Sequence, residues 1–217
     1  MKRTKILAMV CAAVLLVALF AGCSGKPAAS DGKATVKIGG IGPITGGAAI
    51  YGNAVKQGAE LAIAEINAKG GVQFEMNFQD DAHDAEKSVN AYNTLMDWGM
   101  QVLLGPVTSD PATAVAAEAD RDHIFMLTPS GSSTKITDGH ENVYQMCFSD
   151  PNQGLASAKY ISEKKLSEKI AIIYKSDDAY STGIYEKFSA EAKEKALTVV
   201  YTGTFTSDSE TDFSAQL

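Results

Sequence analysis

Apolar and polar positions alternate between two periods along this chain. Residues 35–41, Thr-Val-Lys-Ile-Gly-Gly-Ile, form a short apolar run that predicts a buried strand. Over 52–69 the apolar positions Val55, Ala59, Ala62, Ile63 and Ile66 recur at helical spacing, with Lys56, Glu60 and Asn67 opposite. Gly70-Gly71 supplies the stop, since a residue without a side chain takes the left-handed C-terminal turn freely. Phe74, Met76 and Phe78 then alternate as a half-buried strand does. Asp84 caps a second predicted helix, with Ala85, Val89, Tyr92 and Met96 on one face, and a strand follows over 101–105. Asp110-Pro111 opens a third helix, followed by strands over 124–128 and 143–148. Asp150-Pro151 opens another, with Leu155, Ala158 and Ile161 inward, before a strand over 169–174, a helix over 185–196 and a strand over 197–202. Strands separated by helices of this length need right-handed crossovers and a mainly parallel sheet covered on both faces, so the fold class is α/β. Ligands bind such sheets beyond the carboxyl ends of the strands, which directs attention to the loops there.

The first 22 residues do not share this pattern. Lys2, Arg3 and Lys5 precede a run of uncharged, mostly apolar residues over 6–20, then Ala21-Gly22-Cys23. The run is shorter than the ~20 residues that span a hydrocarbon core, and its charge layout is that of a secretory signal. It resembles a bacterial lipoprotein signal, in which Cys23 becomes the lipidated first residue, although Phe20 stands where that pattern more often has Leu. A diacylated, N-acylated cysteine holds a membrane firmly. Residues 24–33 are small, polar and unpatterned, so 23–33 read as a tether. The expectation is an extracytoplasmic protein held on a bacterial membrane through Cys23.

Composition narrows the classes. The chain has 217 residues, 45% of them apolar and 21% charged, which excludes a disordered or collagen-like chain. Without residues 1–22 there remain 16 basic against 26 acidic residues, so the net charge of −7 becomes −10. An acidic chain of this kind is poorly suited to nucleic acid or an anionic membrane face, and no nucleic-acid partner is expected. Cys11 leaves with the signal and Cys23 is taken by lipid. Cys147 is then the one thiol left, no internal disulfide is possible, and its apolar run 143–148 makes it a core residue.

Among the loops, Gly40-Ile-Gly42 looks like half a dinucleotide fingerprint, but the third glycine comes too late and Pro43 removes an N–H. Asp80-Asp-Ala-His-Asp84 is either a metal cluster or a strand end followed by a helix cap; His123 and His140 lack ligand spacing to it, and no metal is expected. No Gly-x-Ser-x-Gly elbow is present, so a serine hydrolase is not expected, nor any cofactor or enzyme activity. What remains is a pair of polar loops after adjacent strands, Gly105-Pro-Val-Thr-Ser109 and Thr128-Pro-Ser-Gly-Ser-Ser133. Hydroxyls and free N–H groups at a helix N-terminus suit a small anion such as a carboxylate; plain capping by Ser109 and Ser133 is the competing reading.

Taken together, several motifs carry a resemblance. They are Gly42-Pro-Ile-Thr-Gly46, Tyr51-Gly52, the run from Gly58 to Gly71, Asp80-Asp81, Gly105-Pro106 with Ser109, Thr128-Pro129, and Asp150 with Gln153-Gly154. In this order they resemble the type I periplasmic binding proteins, above all the branched-chain amino acid receptors of ABC transporters. The resemblance implies two Rossmann-like α/β lobes with a ligand trapped between them. The first would cover 34–149 without its returning elements; the second would begin at 150 and be incomplete at 217, where residues 211–217 read as an opening helix. It implies that Ser109 binds a ligand carboxylate through its hydroxyl, that Ser130 offers its carbonyl to an ammonium, and that Ser132 offers its hydroxyl and N–H beside Gly131. Val107 and Thr108 would line the side-chain pocket, with Tyr51 and Tyr180 as aromatic walls. Some of these receptors have cysteines where this chain has His83 and Thr108, so that cross-link is absent here. Ser130 and Ser132 stand where Ala and Thr are frequent, which makes the pocket more polar. The partners implied are an amino acid, branched-chain or related, and the transmembrane subunits of an ABC permease. The alternative is a lipid-anchored sensor of the same fold for amides or other small polar solutes.

Overall fold

The computed structural model describes residues 34–216; the predicted signal, the lipidation at Cys23 and the tether lie outside the described residues. Among the described residues strands and helices alternate throughout: β1 (Thr35–Gly42), α1 (Ala49–Ala68), β2 (Gln73–Asp80), α2 (Ala85–Trp98), β3 (Val102–Leu104), α3 (Ser109–Arg121), β4 (Phe125–Thr128), β5 (Val143–Gln145), α4 (Asp150–Glu163), β6 (Lys169–Lys175), α5 (Ala179–Glu194) and β7 (Thr198–Phe205). Short 3-10 turns stand at Thr134–Ile136 and Ser207–Ser209. The first five strands form one sheet in the order β2-β1-β3-β4-β5, and β1, β3, β4 and β5 run parallel. β6 and β7 form a separate parallel pair, with a register shift between Ile170 and Ala171. The first sheet reverses its strand order between β1 and β3. Connections therefore leave these two strands toward opposite sides, and a crevice opens at their carboxyl ends.

The first sheet carries a core of Ile41, Tyr92, Leu95, Leu103, Val115, Met126, Ile136 and Val143, all fully or nearly fully buried. Tyr92 keeps its polar end satisfied there by donating to Asp122 Oδ2 at 3.0 Å. A smaller core of Ala158, Phe188, Ala192 and Leu197 ties α4 and α5 to β6 and β7. Burying a side chain of Leu or Phe size stabilises by ~1.5–3 kcal/mol, so the larger cluster provides the firmer platform for the loops above it.

The structure moves several predicted boundaries, each for a local reason. α1 begins at Ala49 rather than 52, and Gly52 lets its first turn close on the preceding loop: a Cβ there would stand 1.9 Å from the Pro43 carbonyl oxygen. α5 begins at Ala179 rather than 185, because Asp178 caps it by accepting from Tyr180 N–H at 3.2 Å. Asp110 and Asp150 are not the caps that the sequence suggests. Thr108 and Ser149 hold those positions, with no side-chain cap bond, and both aspartates lie inside the first turn. β5 ends at Gln145, whose Nε2 donates to Phe148 O at 3.3 Å and closes a turn, leaving Met146 and Phe148 exposed. Cys147 is consequently half-buried rather than in the core, its Sγ donating to Gly131 O at 3.4 Å. Residues 211–216 are turns and not an opening helix. Asp212 Oδ1 accepts from Ser214 N–H (2.9 Å) and hydroxyl (2.6 Å), a local bonding pattern that competes with helix formation.

Candidate functional site

Two loops meet at the carboxyl ends of β3 and β4, and side-chain hydroxyls stitch them together. Gly105 has φ +110 and its missing Cβ would stand 2.2 Å from Ile41 O, so only glycine lets the chain leave β3 this close to β1. Thr128, at the end of β4, donates its hydroxyl to Pro106 O at 2.7 Å and accepts from Gly131 N–H at 2.9 Å. Ser130 donates its hydroxyl to Val107 O at 2.7 Å. Ser109, the first residue of α3, places its Oγ as acceptor for two backbone donors, Ser132 N–H at 3.1 Å and Ser133 N–H at 3.2 Å. A hydroxyl oxygen accepts twice and donates once. With both acceptor positions used, the Ser109 proton is what this hydroxyl can still offer. It does so at the positive end of α3, a position that favours negative charge.

A third loop, after β2, closes against the same region. Asp80 gathers the loop after β1: its Oδ1 accepts from Ile44 N–H (2.9 Å), Thr45 N–H (3.3 Å) and Ala82 N–H (2.9 Å), and its Oδ2 accepts from the Thr45 hydroxyl. Burial acts to raise its pKa, but these four bonds outweigh it and hold Asp80 below the usual carboxylate range. Asp81 is fully buried, which pushes its pKa up, although His83 N–H and the Ser88 hydroxyl bond to it. Asp84 caps α2 through Lys87 N–H at 2.8 Å. The cluster at 80–84 thus spends its carboxylates on backbone and hydroxyl donors. His83, held at φ +63, brings Nδ1 to 2.9 Å from the Thr108 hydroxyl.

The residues singled out in the sequence fall into two groups. Val107, Thr108, Ser109, Ser130, Gly131 and Ser132 come together through the bonds above, with Ser130 exposed, Thr108 half-buried and the other four buried. Tyr180 stands on the first turn of α5, 42% exposed, with its hydroxyl accepting from Gln153 Nε2 at 3.4 Å. Tyr51 is 60% exposed on α1, and no hydrogen bond or ring contact ties it to the serine loops among the described residues. Ser132 differs from its expected role: its N–H goes to Ser109 at 3.1 Å and its side chain faces the Asp150 carboxylate. Ser133 does cap, accepting from Lys135 N–H at 3.4 Å in the 3-10 turn.

Three further residues were not legible as site residues. His83 stands out in the sequence within the 80–84 cluster and as a departure from a pattern, neither of which points to its contact with Thr108. Asp110 reaches across to the second sheet's layer, its Oδ2 accepting from Ala179 N–H at 3.3 Å. Asp150 is fully buried and neither carboxylate oxygen meets a partner at good geometry; burial raises its pKa, and the Ser132 side chain only partly eases it. A cavity of about 260 Å³ borders Asp150 together with Ser133, Lys135, Thr182, Gly183 and Lys187. Ser109 and Ser130 do not line it, so the hydroxyl cluster is a separate surface.

Residues 35–217 match the model of a family described as periplasmic binding protein. Leu/Ile/Val-binding protein homolog 3 of Brucella melitensis is 33% identical over 191 residues, covering 86% of this chain and 51% of that protein. Leu/Ile/Val-binding protein BraC3 of Rhizobium johnstonii is 34% identical over 186 residues, 84% of this chain and 50% of that protein. Among solved structures, the branched-chain amino acid transporter substrate binding protein LivJ from Streptococcus pneumoniae, in complex with isoleucine, superposes with a TM-score of 0.78 at 30% identity. That match covers 84% of this chain and 52% of LivJ. This chain therefore spans about half the length of the relatives it matches. On its sheet order, its paired loops and the family match over 35–217, the chain belongs to the type I periplasmic binding proteins.

Proposed function

We propose that this chain is the binding part of an extracytoplasmic, lipid-anchored receptor that captures an amino acid and delivers it to an ABC permease. The observation that carries the reading is Ser109. Its oxygen accepts from two backbone donors, which leaves its proton to donate at the N-terminus of α3, the chemistry a ligand carboxylate requires. Val107 and Thr108 border that point, and Ser130, Gly131 and Ser132 face it from the loop after β4. Tyr180, and Tyr51 at longer reach, form the walls. On this reading 34–149 belong to the first lobe, without its returning elements, and 150–217 begin the second. The ligand touches both, so it shifts the population toward the closed form that the permease reads. Relatives named for leucine, isoleucine and valine binding support the amino-acid class.

A thermal-shift panel of aliphatic, polar and amide amino acids tests the reading, because binding to the native state raises the melting temperature by mass action. A shift with one class identifies the ligand; no shift with any removes the proposal. Membrane fractionation of Cys23→Ser protein tests the anchor, with release into the soluble fraction expected.

A further inference from the structure

Ser109 and Tyr180 belong to different sheet layers, and one hydrogen bond joins their immediate chain neighbours. Asp110, next to Ser109 on α3, accepts at Oδ2 from the N–H of Ala179, next to Tyr180 on α5. The start of α5 is thereby held twice. Its own Asp178 takes the Tyr180 N–H at 3.2 Å, and Asp110 takes the Ala179 N–H from across the gap. The first N–H groups of a helix have no partner within it, so a carboxylate from another element can serve as a cap. Sequence spacing predicts Asp110 as the cap of its own helix; the structure gives it to a different one.

We propose that Asp110 is a positioning residue, which fixes Tyr180 relative to Ser109 by capping α5 from α3 and so sets the width of the ligand cleft. The side-chain hydroxyl bonds that join the two serine loops to each other lie on the α3 side, and the loop after β4 is also held by Asp150 N–H, at the start of α4, donating to Ser132 O at 3.0 Å. Tyr180 is carried by α5, which only Asp110 ties by a side chain to α3 among the bonds described. Without Asp110, α5 would keep its Asp178 cap and its packing on α4 but lose its side-chain bond to α3. The consequence concerns the bound state. A ligand contacting Ser109 and Tyr180 together would be released faster, while the approach to the serine loops, which Asp110 does not border through this bond, would be unaffected. This inference rests on the amino-acid reading for its ligand, and on the hydrogen bond alone for its geometry.

The test uses the intact protein, its Asp110→Ala and Asp110→Asn variants, and L-isoleucine and L-leucine as probes. In Asp110→Ala, hydrogen exchange at the Ala179 amide should speed up and the probe dissociation rate should rise roughly ten-fold, the loss expected for a bond to a charged acceptor. Association should hardly change. Asp110→Asn keeps an acceptor oxygen without the charge, so it should restore most of the slow exchange and the slow dissociation. Unchanged Ala179 exchange in an Asp110→Ala protein that melts cooperatively would overturn the proposal. So would faster exchange with unaltered dissociation. If neither probe binds the unaltered protein, the ligand reading fails by itself, and the Ala179 exchange ratio between the two variants still decides whether Asp110 holds α5.

Discussion

Replacing Ser109 by alanine should destabilise the protein as well as weaken binding, and the structure says by how much. The Oγ is the acceptor for Ser132 N–H and Ser133 N–H at 3.1 and 3.2 Å, and both serines are about 95% buried (4% and 5% exposed). Alanine fills nearly the same space, so no cavity cost arises. Instead, two backbone donors lose their partner without gaining water. A buried unsatisfied donor costs ~1–3 kcal/mol, and partial relaxation of the loop places the pair at about 2–4 kcal/mol. That is a large share of the ~5–15 kcal/mol that holds a typical protein folded. Urea unfolding of the intact protein reads it directly: the midpoint should fall with an unchanged m-value, since the surface exposed on unfolding is the same. Ser109→Cys, a weak acceptor, should lie between alanine and serine. A loss below ~0.5 kcal/mol for Ser109→Ala would show that the two N–H groups find other partners. In that case the argument that the Ser109 proton is left free would fall as well.

Other outcomes follow from the same geometry. Gly52→Ala forces a Cβ to 1.9 Å from the Pro43 carbonyl, a backbone atom that cannot swing away, so the first turn of α1 should unwind. Loss of helical circular dichroism with a lower melting temperature would report it, whereas a wild-type melt would refute the close approach. Burial, first of all, raises the pKa of Asp81, Asp110 and Asp150; at Asp110 the Ala179 N–H bond opposes it, Asp178 adds to it, and His83 and Lys135 oppose it, while Asp178 also adds to it at Asp150. These groups bind protons more tightly when folded, so their contribution is greatest below the ordinary carboxylate range of about 4 and is lost as pH rises through their raised values. Asp80, pulled down by its hydrogen bonds, acts oppositely and loses its contribution as pH falls below that range. Thermal melts should therefore show a stabilising contribution that grows as pH falls through the raised values of Asp81, Asp110 and Asp150, offset by the loss from Asp80 below the ordinary carboxylate range. Asp150→Asn should flatten the growth; an unchanged profile would remove Asp150 as its source. For binding, Ser109→Ala should cost ~1–3 kcal/mol with a free amino acid and much less with its methyl ester, which carries no carboxylate charge. Equal losses by calorimetry would take the carboxylate away from Ser109.

The α/β class was legible because periodicity reports burial, and burial is what builds strands and helices. The pairing of loops 105–109 and 128–133 was legible too, since both follow predicted strands and concentrate hydroxyls. Helix starts were less so. Asp110 and Asp150 have the side chain and the following proline that mark a cap, yet Thr108 and Ser149 hold the cap positions because the extended backbone ends two residues before Asp110 and one before Asp150. No local pattern tells whether a carboxylate serves its own helix or another, since the partner of Asp110 is 69 residues away. Cys147 fails for a related reason. Its apolar neighbours suggest a core strand, but Gln145 turns the chain outward and leaves Met146 and Phe148 in solvent.

The hydroxyls of the candidate site look alike in sequence and are opposite in chemistry once their bonds are counted. Ser130 spends its proton on Val107 O, so its oxygen is left with lone pairs to offer. Ser109 spends its lone pairs on two N–H groups, so it is left with its proton. One surface thus carries an acceptor hydroxyl from the loop after β4 and a donor hydroxyl from the start of α3. A zwitterion needs this pair: an acceptor for its ammonium and a donor for its carboxylate. A neutral solute needs neither in a fixed order, and a simple anion would bring the Ser130 oxygen no donor, its own proton being spent on Val107 O. The orientation of the ligand on the proposed reading is therefore set by which backbone groups the two serines bind, before any contact with the ligand is made. Thr128 underlies both, because its bonds to Pro106 O and Gly131 N–H hold the two loops at the spacing on which that division of roles depends.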